Sequence, residues 1–366
     1  MLNLIEAARN RVEQCLLRLW YPPTGRAGHR LLAATLQPLA WLTARVAGRR
    51  RSALIAAARR PARPLLVVGN LIAGGTGKTP AVIAIALELT RRGLKVGLLA
   101  GGYRARRGGS HLVDADGDAD LQGDEPVLLA RRTGLPVAAG RDRQAALSVL
   151  LDRHPQLDLV ISDDGLQHAG LPRTVELAVF DGRGAGNGRL LPAGPLREPL
   201  EHALAMDGLL LNGAAPAPIA HPHTFRFDVV PDGFRRVREA DAAATVGAVA
   251  RQPIESGPMI EPAAFARQVG GQTVLALAGM AEPRRFIDTL TACGLSVEPM
   301  RLADHARIDP ARLARWPGRW IVMTDKDAVK LRHAADDRCW TLSVSARFEP
   351  AFFDWLMERL LGQSTA

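Results

Sequence analysis

The chain has 366 residues, 47% of them hydrophobic, which is enough for about two domains with buried cores and excludes disorder, a collagen repeat and a small disulfide scaffold. Cys15, Cys293 and Cys339 are odd in number and never in C-x-x-C spacing, so neither a disulfide framework nor a thiolate zinc site is indicated, and a reducing compartment is expected. The net charge of +10 sits at one end: residues 1–64 hold twelve arginines, no lysine and only Glu6 and Glu13 as acids, while the remaining 302 residues balance 35 bases with 35 acids. So concentrated a field expects a polyanion, nucleic acid or an anionic membrane face.

Leu2, Ile5, Val12, Leu16 and Leu19 recur at helical steps and mark one apolar face, broken by Arg9. A second apolar stretch, 31–46, contains Gln37, Pro38 and Arg45 and is shorter than the ~20 apolar residues of a bilayer span. Trp20, Tyr21 and Trp41 are rings suited to the headgroup zone, and Arg49, Arg50, Arg51, Arg59, Arg60 and Arg63 suit an anionic leaflet. Residues 1–64 therefore read as an arm that lies on a membrane; a pair of ordinary packed helices and an organellar transit peptide are the alternatives. Nucleic-acid binding is not expected, because nothing outside the arm is basic and no reading motif occurs.

The run 65–68 reads as a buried strand, followed by Gly69-Asn70-Leu71-Ile72-Ala73-Gly74-Gly75-Thr76-Gly77-Lys78-Thr79 and a helix from Pro80 that stops at Gly93. Strand, glycine turn and helix make this a phosphate-binding loop. Its backbone N–H groups close around phosphate oxygens, Lys78 reaches the outer phosphates, and the Thr79 hydroxyl can hold Mg²⁺. Asn70, Gly74, Gly75, Thr76, Gly77, Lys78 and Thr79 are the expected ATP contacts. Ile72 stands where the full consensus has glycine.

A strand at 95–100, a helix from Glu125, a strand at 136–139 and a helix at 141–154 follow. The next strand, 157–162, ends in Asp163-Asp164-Gly165, placing paired carboxylates where a nucleotide's Mg²⁺ is held. Strands at 175–180 and 208–211 come next; the latter runs into Asn212-Gly213-Ala214 rather than N-K-x-D, so ATP is preferred over GTP. Segments 224–230 and 234–237 flank Pro231-Asp232-Gly233 and read as a hairpin. A second α/β unit has strands at 273–277, near Val297 and at 320–323, with helices at 283–293 and 352–361. The alternation indicates a doubly wound, mostly parallel P-loop NTPase sheet with a second, smaller α/β domain joined by a two-stranded hairpin linker. The expected divisions are the arm 1–64, an ATP-binding domain 65–222, the linker 223–238 and the smaller domain 239–366.

The run V-G-N-L-I-A-G-G-T-G-K-T-P (68–80), then G-Y-R (102–104), G-D-E-P (123–126), D-D-G-L-Q-H (163–168), L-P-A-G-P-L-R-E (191–198), D-H (304–305) and T-D-K-D-A-V-K (324–330) resembles the tetraacyldisaccharide 4′-kinases of lipid A synthesis, in order along nearly the whole chain. The resemblance implies transfer of the ATP γ-phosphoryl group, with Mg²⁺, to the 4′-hydroxyl of a tetraacyldisaccharide 1-phosphate, forming lipid IVA, a lipopolysaccharide precursor. It implies a monotopic protein on the cytoplasmic face of the bacterial inner membrane, and no obligate protein partner is inferred.

The resemblance also implies site roles. Asp124 becomes the base, paired with His305 beside Asp304, although Asp124 before Glu125-Pro126 also suits a helix cap. Thr79, Asp163, Asp164 and Glu125 are candidates for Mg²⁺, with Gln167 and His168 beside the phosphate. Tyr103, Arg104, Arg143, Gln167, His168, Arg197 and Glu198 are candidates for gripping the substrate. Three departures stand out: Ala100-Gly101-Gly102 where Ser-Arg-Gly is expected, Leu166 for Phe, and Asp325 for Glu. The competing reading is a P-loop NTPase switch or metallochaperone, which leaves the arginine-rich arm without a use.

Overall fold

In a computed structural model, the described residues are 12, 14–21, 33–57, 62–102, 105–168, 170–237, 258–279, 283–301, 313, 316, 318–331 and 335–362. In chain order, residues 14–20 are helical, followed by α1 (Gln37–Ala57), β1 (Leu65–Gly69), α2 (Lys78–Arg91), β2 (Val96–Ala100), β3 (His111–Leu112) and α3 (Ala119–Gln122). Next come α4 (Asp124–Thr133), β4 (Val137–Ala139), α5 (Arg143–Arg153), β5 (Leu159–Asp163), β6 (Val175–Phe180), a 3₁₀ turn (Leu200–Ala205) and β7 (Gly208–Asn212). The chain finishes with β8 (Thr224–Arg236), α6 (Pro262–Val269), β9 (Thr273–Ala278), α7 (Pro283–Ala292), β10 (Ser296–Arg301), β11 (Ile321–Thr324), α8 (Asp325–Leu331), β12 (Cys339–Phe348) and α9 (Pro350–Leu361). Two compact units result: Met1–Lys78 with Ile161–Asp228 and Phe348–Ala366, and Thr79–Val160 with Val229–Arg347, so the chain crosses four times.

In the first unit, β1 lies between β6 and β5, and β6 continues to β7 and the start of β8, with parallel pairing from β1 through β8. Every residue of β1 and β6 is buried, and this is why β1 reads as an unbroken apolar run and β6 as one interrupted only by Glu176, rather than as alternating strands. α9 closes the unit with aromatic packing: Phe352 meets Phe225 at 5.2 Å and Phe348 at 4.6 Å, and Trp355 meets Phe225 at 4.7 Å. These contacts group the last helix with the first unit rather than with the smaller domain.

The second unit holds β2, β4 and the antiparallel β3, and a parallel run in the order β10, β9, β11, β12. Alternate residues of β9 feed two cores. Val274, Ala276 and Ala278 pack with Phe265 of α6 and Phe286 and Leu290 of α7, whereas Leu275 and Leu277 pack with Ala328 and Leu331 of α8. Helices therefore cover both faces of this parallel run, as a doubly wound sheet requires.

The expected hairpin at 231–233 is corrected: β8 is one strand from Thr224 to Arg236. Phe234 is fully buried and stacks on Phe265 at 4.1 Å, and it exchanges backbone hydrogen bonds with Ile260 at 2.8 Å in both directions, so tertiary pairing overrides the turn chemistry of Pro-Asp-Gly. β12 is the strand beside β8, and the Ser345 hydroxyl donates to Asp232 at 2.6 Å.

In the arm, residues 33–35 are helical and, after a turn at Leu36, α1 runs from Gln37 to Ala57. Trp20 and Tyr21, read from the sequence as rings suited to the headgroup zone, are half-buried against the chain. Trp20 Nε1 donates to the Pro192 carbonyl at 3.0 Å, Asn187 binds the backbone of Leu19 and Trp20, and the Arg183 guanidinium lies 5.4 Å from the Tyr21 ring centre. Trp41 is 62% exposed, with Leu39, Leu42 and Val46 exposed at helical steps of three and four beside it. Among the described residues no helix is long and apolar enough to cross a membrane.

Candidate active site

The phosphate-binding loop leaves β1 at Gly69, where a Cβ would sit 2.6 Å from Leu166, so the strand end is held tightly against the turn after β5. Gly74 and Gly77 have φ of +97° and +91°, a backbone that side chains resist and that turns the loop around its centre. Asn70 braces it from within: its Nδ2 donates to the Gly74 carbonyl and its Oδ1 accepts from Lys78 Nζ, both at 3.0 Å. The Thr76 hydroxyl is buried and has no hydrogen-bond partner among the described residues.

Two supports of this loop escaped the sequence reading. Asn212, at the end of β7, donates to the Thr76 carbonyl at 3.1 Å, and Arg183, after β6, donates to the Gly75 carbonyl at 2.6 Å. An asparagine or arginine just beyond a buried parallel strand is the only trace they leave in the sequence.

Asp164 follows β5 with a left-handed φ of 53°, and its N–H donates to the Val68 carbonyl at 2.9 Å, which ties the paired acids to the end of β1. Its carboxylate lies 3.4 Å from Lys78 Nζ and 3.2 Å from Arg197 Nη1. Burial alone would raise this carboxyl; Lys78 and Arg197 outweigh it and hold the group at about 2. Asp163 is 4% exposed at the strand end. Gln167 joins the same network, accepting from Arg197 at 3.2 Å and donating to Glu198 at 3.2 Å and to the Asn70 carbonyl at 3.3 Å. The His168 carbonyl accepts from Arg173 at 2.6 Å, and Glu198 meets the ring of His202 at 3.0 Å. The first unit thus brings Asn70, Lys78, Asp164, Gln167, Arg197 and Glu198 into one connected polar cluster.

The second unit holds the other expected carboxylates. Gly123 joins α3 to α4 with φ +96°, and the Cδ of Pro126 would lie 3.2 Å from any Cβ there, which accounts for the glycine of G-D-E-P. Gly123 is the cap residue and Asp124 the first residue of α4, so Asp124 is not the N-cap; its Oδ1 accepts from the Glu125 N–H at 3.0 Å. Asp124 is buried, and Lys330 Nζ lies 3.6 Å from its Oδ2. Glu125 pairs with Lys326 at 3.0 Å. Arg143 is buried, with Nη1 donating to the Gly140 carbonyl at 2.6 Å, and its guanidinium lies 3.0 Å from where a Cβ on Gly101 would be. Tyr103, Arg104, Asp304 and His305 lie outside the described residues.

The acids offered for Mg²⁺ are hard oxygen donors of the kind that ion takes. Asp163 and Asp164 sit together at the end of β5, Thr79 follows Lys78 in the chain, and Glu125 belongs to the second unit. Among the described residues there is no cluster of three or more His, Cys, Asp or Glu that could hold a metal ion.

The family model described as tetraacyldisaccharide-1-P 4′-kinase matches residues 32–361. A tetraacyldisaccharide 4′-kinase of Pseudomonas fluorescens (strain Pf0-1) is 40% identical over 351 residues, covering 94% of this chain and 96% of the relative. A namesake from Pseudomonas aeruginosa (strain LESB58) is 42% identical over 352 residues, with the same coverage of 94% and 96%. The crystal structure of LpxK from Aquifex aeolicus in complex with ATP superposes with a TM-score of 0.71 at 23% identity, over 90% of this chain and 99% of that one, and supports the fold. The chain belongs to the tetraacyldisaccharide-1-phosphate 4′-kinase family.

Proposed function

We propose that this protein transfers the γ-phosphoryl group of ATP to the 4′-hydroxyl of a tetraacyldisaccharide 1-phosphate, yielding lipid IVA and ADP. The observation that carries the reading is the polar cluster at the end of β1, in which Lys78 is held 3.0 Å from Asn70 and 3.4 Å from Asp164 within a glycine loop of positive φ, in a chain of this kinase family.

Phosphoryl transfer depends on positioning and charge neutralisation. Lys78 exchanges Asp164 for the outer phosphates, and backbone N–H groups of 74–78 take the remaining oxygens. Thr79, Asp163 and Asp164 are the residues that would hold Mg²⁺, which would supply neutralisation of the charge developing on the transferred phosphoryl group. Asp124 takes the proton of the 4′-hydroxyl as its oxygen bonds to the γ-phosphorus and the bond to the β–γ bridging oxygen breaks, with His305 and Asp304 as its partners. Tyr103, Arg104, Arg197 and Glu198 contact the disaccharide and its 1-phosphate.

A substrate with four acyl chains stays in the bilayer, so the enzyme comes to it. The exposed Leu39, Trp41, Leu42 and Val46, with Arg45 5.2 Å from the Trp41 ring centre, support an arm that lies on the cytoplasmic leaflet of the inner membrane. Incubation with γ-labelled ATP and the disaccharide lipid tests the function. Label in the lipid is the expected result; release of inorganic phosphate alone points instead to a nucleotide switch.

A further inference from the structure

The 324–330 segment, T-D-K-D-A-V-K, has no part in the chemistry described above, yet each of its charges is engaged. Lys326 Nζ meets Glu125 at 3.0 Å, Asp325 accepts from Arg132 at the far end of α4, and Lys330 Nζ lies between two buried carboxylates, 2.9 Å from Asp327 and 3.6 Å from Asp124. The side chains of Lys330, Asp124 and Asp327 are 8%, 9% and 1% exposed. Asp327 is itself fixed: its second oxygen accepts from the Gly279 N–H at 2.9 Å and the Thr324 hydroxyl at 2.7 Å.

We propose that α8 is a clamp for α4 and that Lys330 is a positioning residue for Asp124, a reading that rests on Asp124 being the base. The distances divide the work. Lys330 makes a short charge-assisted hydrogen bond to Asp327, which anchors the ammonium to the backbone of 279. At 3.6 Å the same ammonium orients the Asp124 carboxylate by charge. Lys326, one helical turn earlier, donates a hydrogen bond to Glu125 at 3.0 Å and fixes the first turn of α4 from a second point. A base displaced by about 1 Å loses on the order of 10²-fold in rate.

The test measures kcat and both KM values for the full chain with ATP and the disaccharide lipid. Lys330→Met should lower kcat by about 10- to 100-fold with each KM within about twofold, and Lys330→Arg should recover most of the loss. In an Asp124→Asn background, Lys330→Met should cost nothing further, because the group it positions is gone. If Lys330→Met fails to fold, Lys330→Met with Asp327→Asn, which removes the more deeply buried carboxylate charge together with the ammonium, carries the same expectation. A kcat within threefold of wild type, a loss confined to KM, no recovery by arginine, or additive losses with Asp124→Asn each overturns the clamp. Undiminished turnover in Asp124→Asn alone overturns instead the assignment of the base.

Discussion

Two charged clusters, one in each unit, are built from the same residue types and are packed differently. Around the phosphate loop, Lys78, Asp164 and Arg197 keep side-chain exposures of 12%, 33% and 28%. At the α4–α8 seam, Lys330, Asp124 and Asp327 are nearly sealed. The contrast teaches what each must do. A phosphate grip has to release its resting partner and accept a polyanion, so its lysine is held by an amide and a carboxylate that can be displaced. The proposed base has to stay where it is, and its carboxylate faces a buried ammonium whose other partner, Asp327, is fixed by the Gly279 N–H and the Thr324 hydroxyl.

Replacing the loop lysine breaks the comparison most severely: Lys78→Ala should lower label transfer to the lipid by about 10³-fold or more, since Lys78 is the cation that the loop itself holds against Asn70 and Asp164. Asp124→Asn should lower kcat by about 10² to 10⁴ while nucleotide affinity, read by fluorescent ATP displacement, stays near wild type. A parallel loss of affinity would mean the seam is part of the grip.

Packing comes next. Phe265 stacks on Phe234 and meets Trp340 at 4.9 Å, so Phe265→Ala should cost about 3–5 kcal/mol in urea unfolding, and the seam should loosen with it. Changing Leu39, Trp41 and Leu42 together to Ser should reduce cosedimentation with anionic vesicles by about tenfold or more, with activity on detergent-dispersed lipid retained. Unaltered cosedimentation would assign membrane binding elsewhere.

The smallest effect is on acid stability. The Asp164 carboxyl is held at about 2, below its ordinary value of 3.8, so its contribution is present above about pH 4 and is lost as pH falls toward 2. The stability difference between wild type and Asp164→Asn should therefore be constant at neutral pH and vanish near pH 2; a difference that first appears near pH 6 would implicate another group.

The loop, its flanking strand and the strand at 175–180 were legible because a parallel strand buried on both faces is written as an apolar run and a phosphate turn as glycines. α8 was not: in Asp-Lys-Asp-Ala-Val-Lys-Leu the charges outnumber the apolar positions, and seven residues are too few for a period to emerge. β12 mixes Ser, Thr and Arg with aromatics, and α6 offers only Phe265 and Val269 to a core. Pro231-Asp232-Gly233 has the composition of a turn and is extended, because burying Phe234 contributes more than the turn residues do.

Sequence by itself therefore determined the kind of chemistry: a glycine loop with Lys78 and Thr79 can hardly serve anything but phosphate, and ordered motifs from 68 to 330 define the family. Only the tertiary structure decided which charges act on which. Asp124 and Lys330 are more than two hundred residues apart, and Arg183 and Asn212 reach the loop from separate strands. Electrostatic partnership depends on distance in space and on exclusion of water, and neither is recorded along the chain.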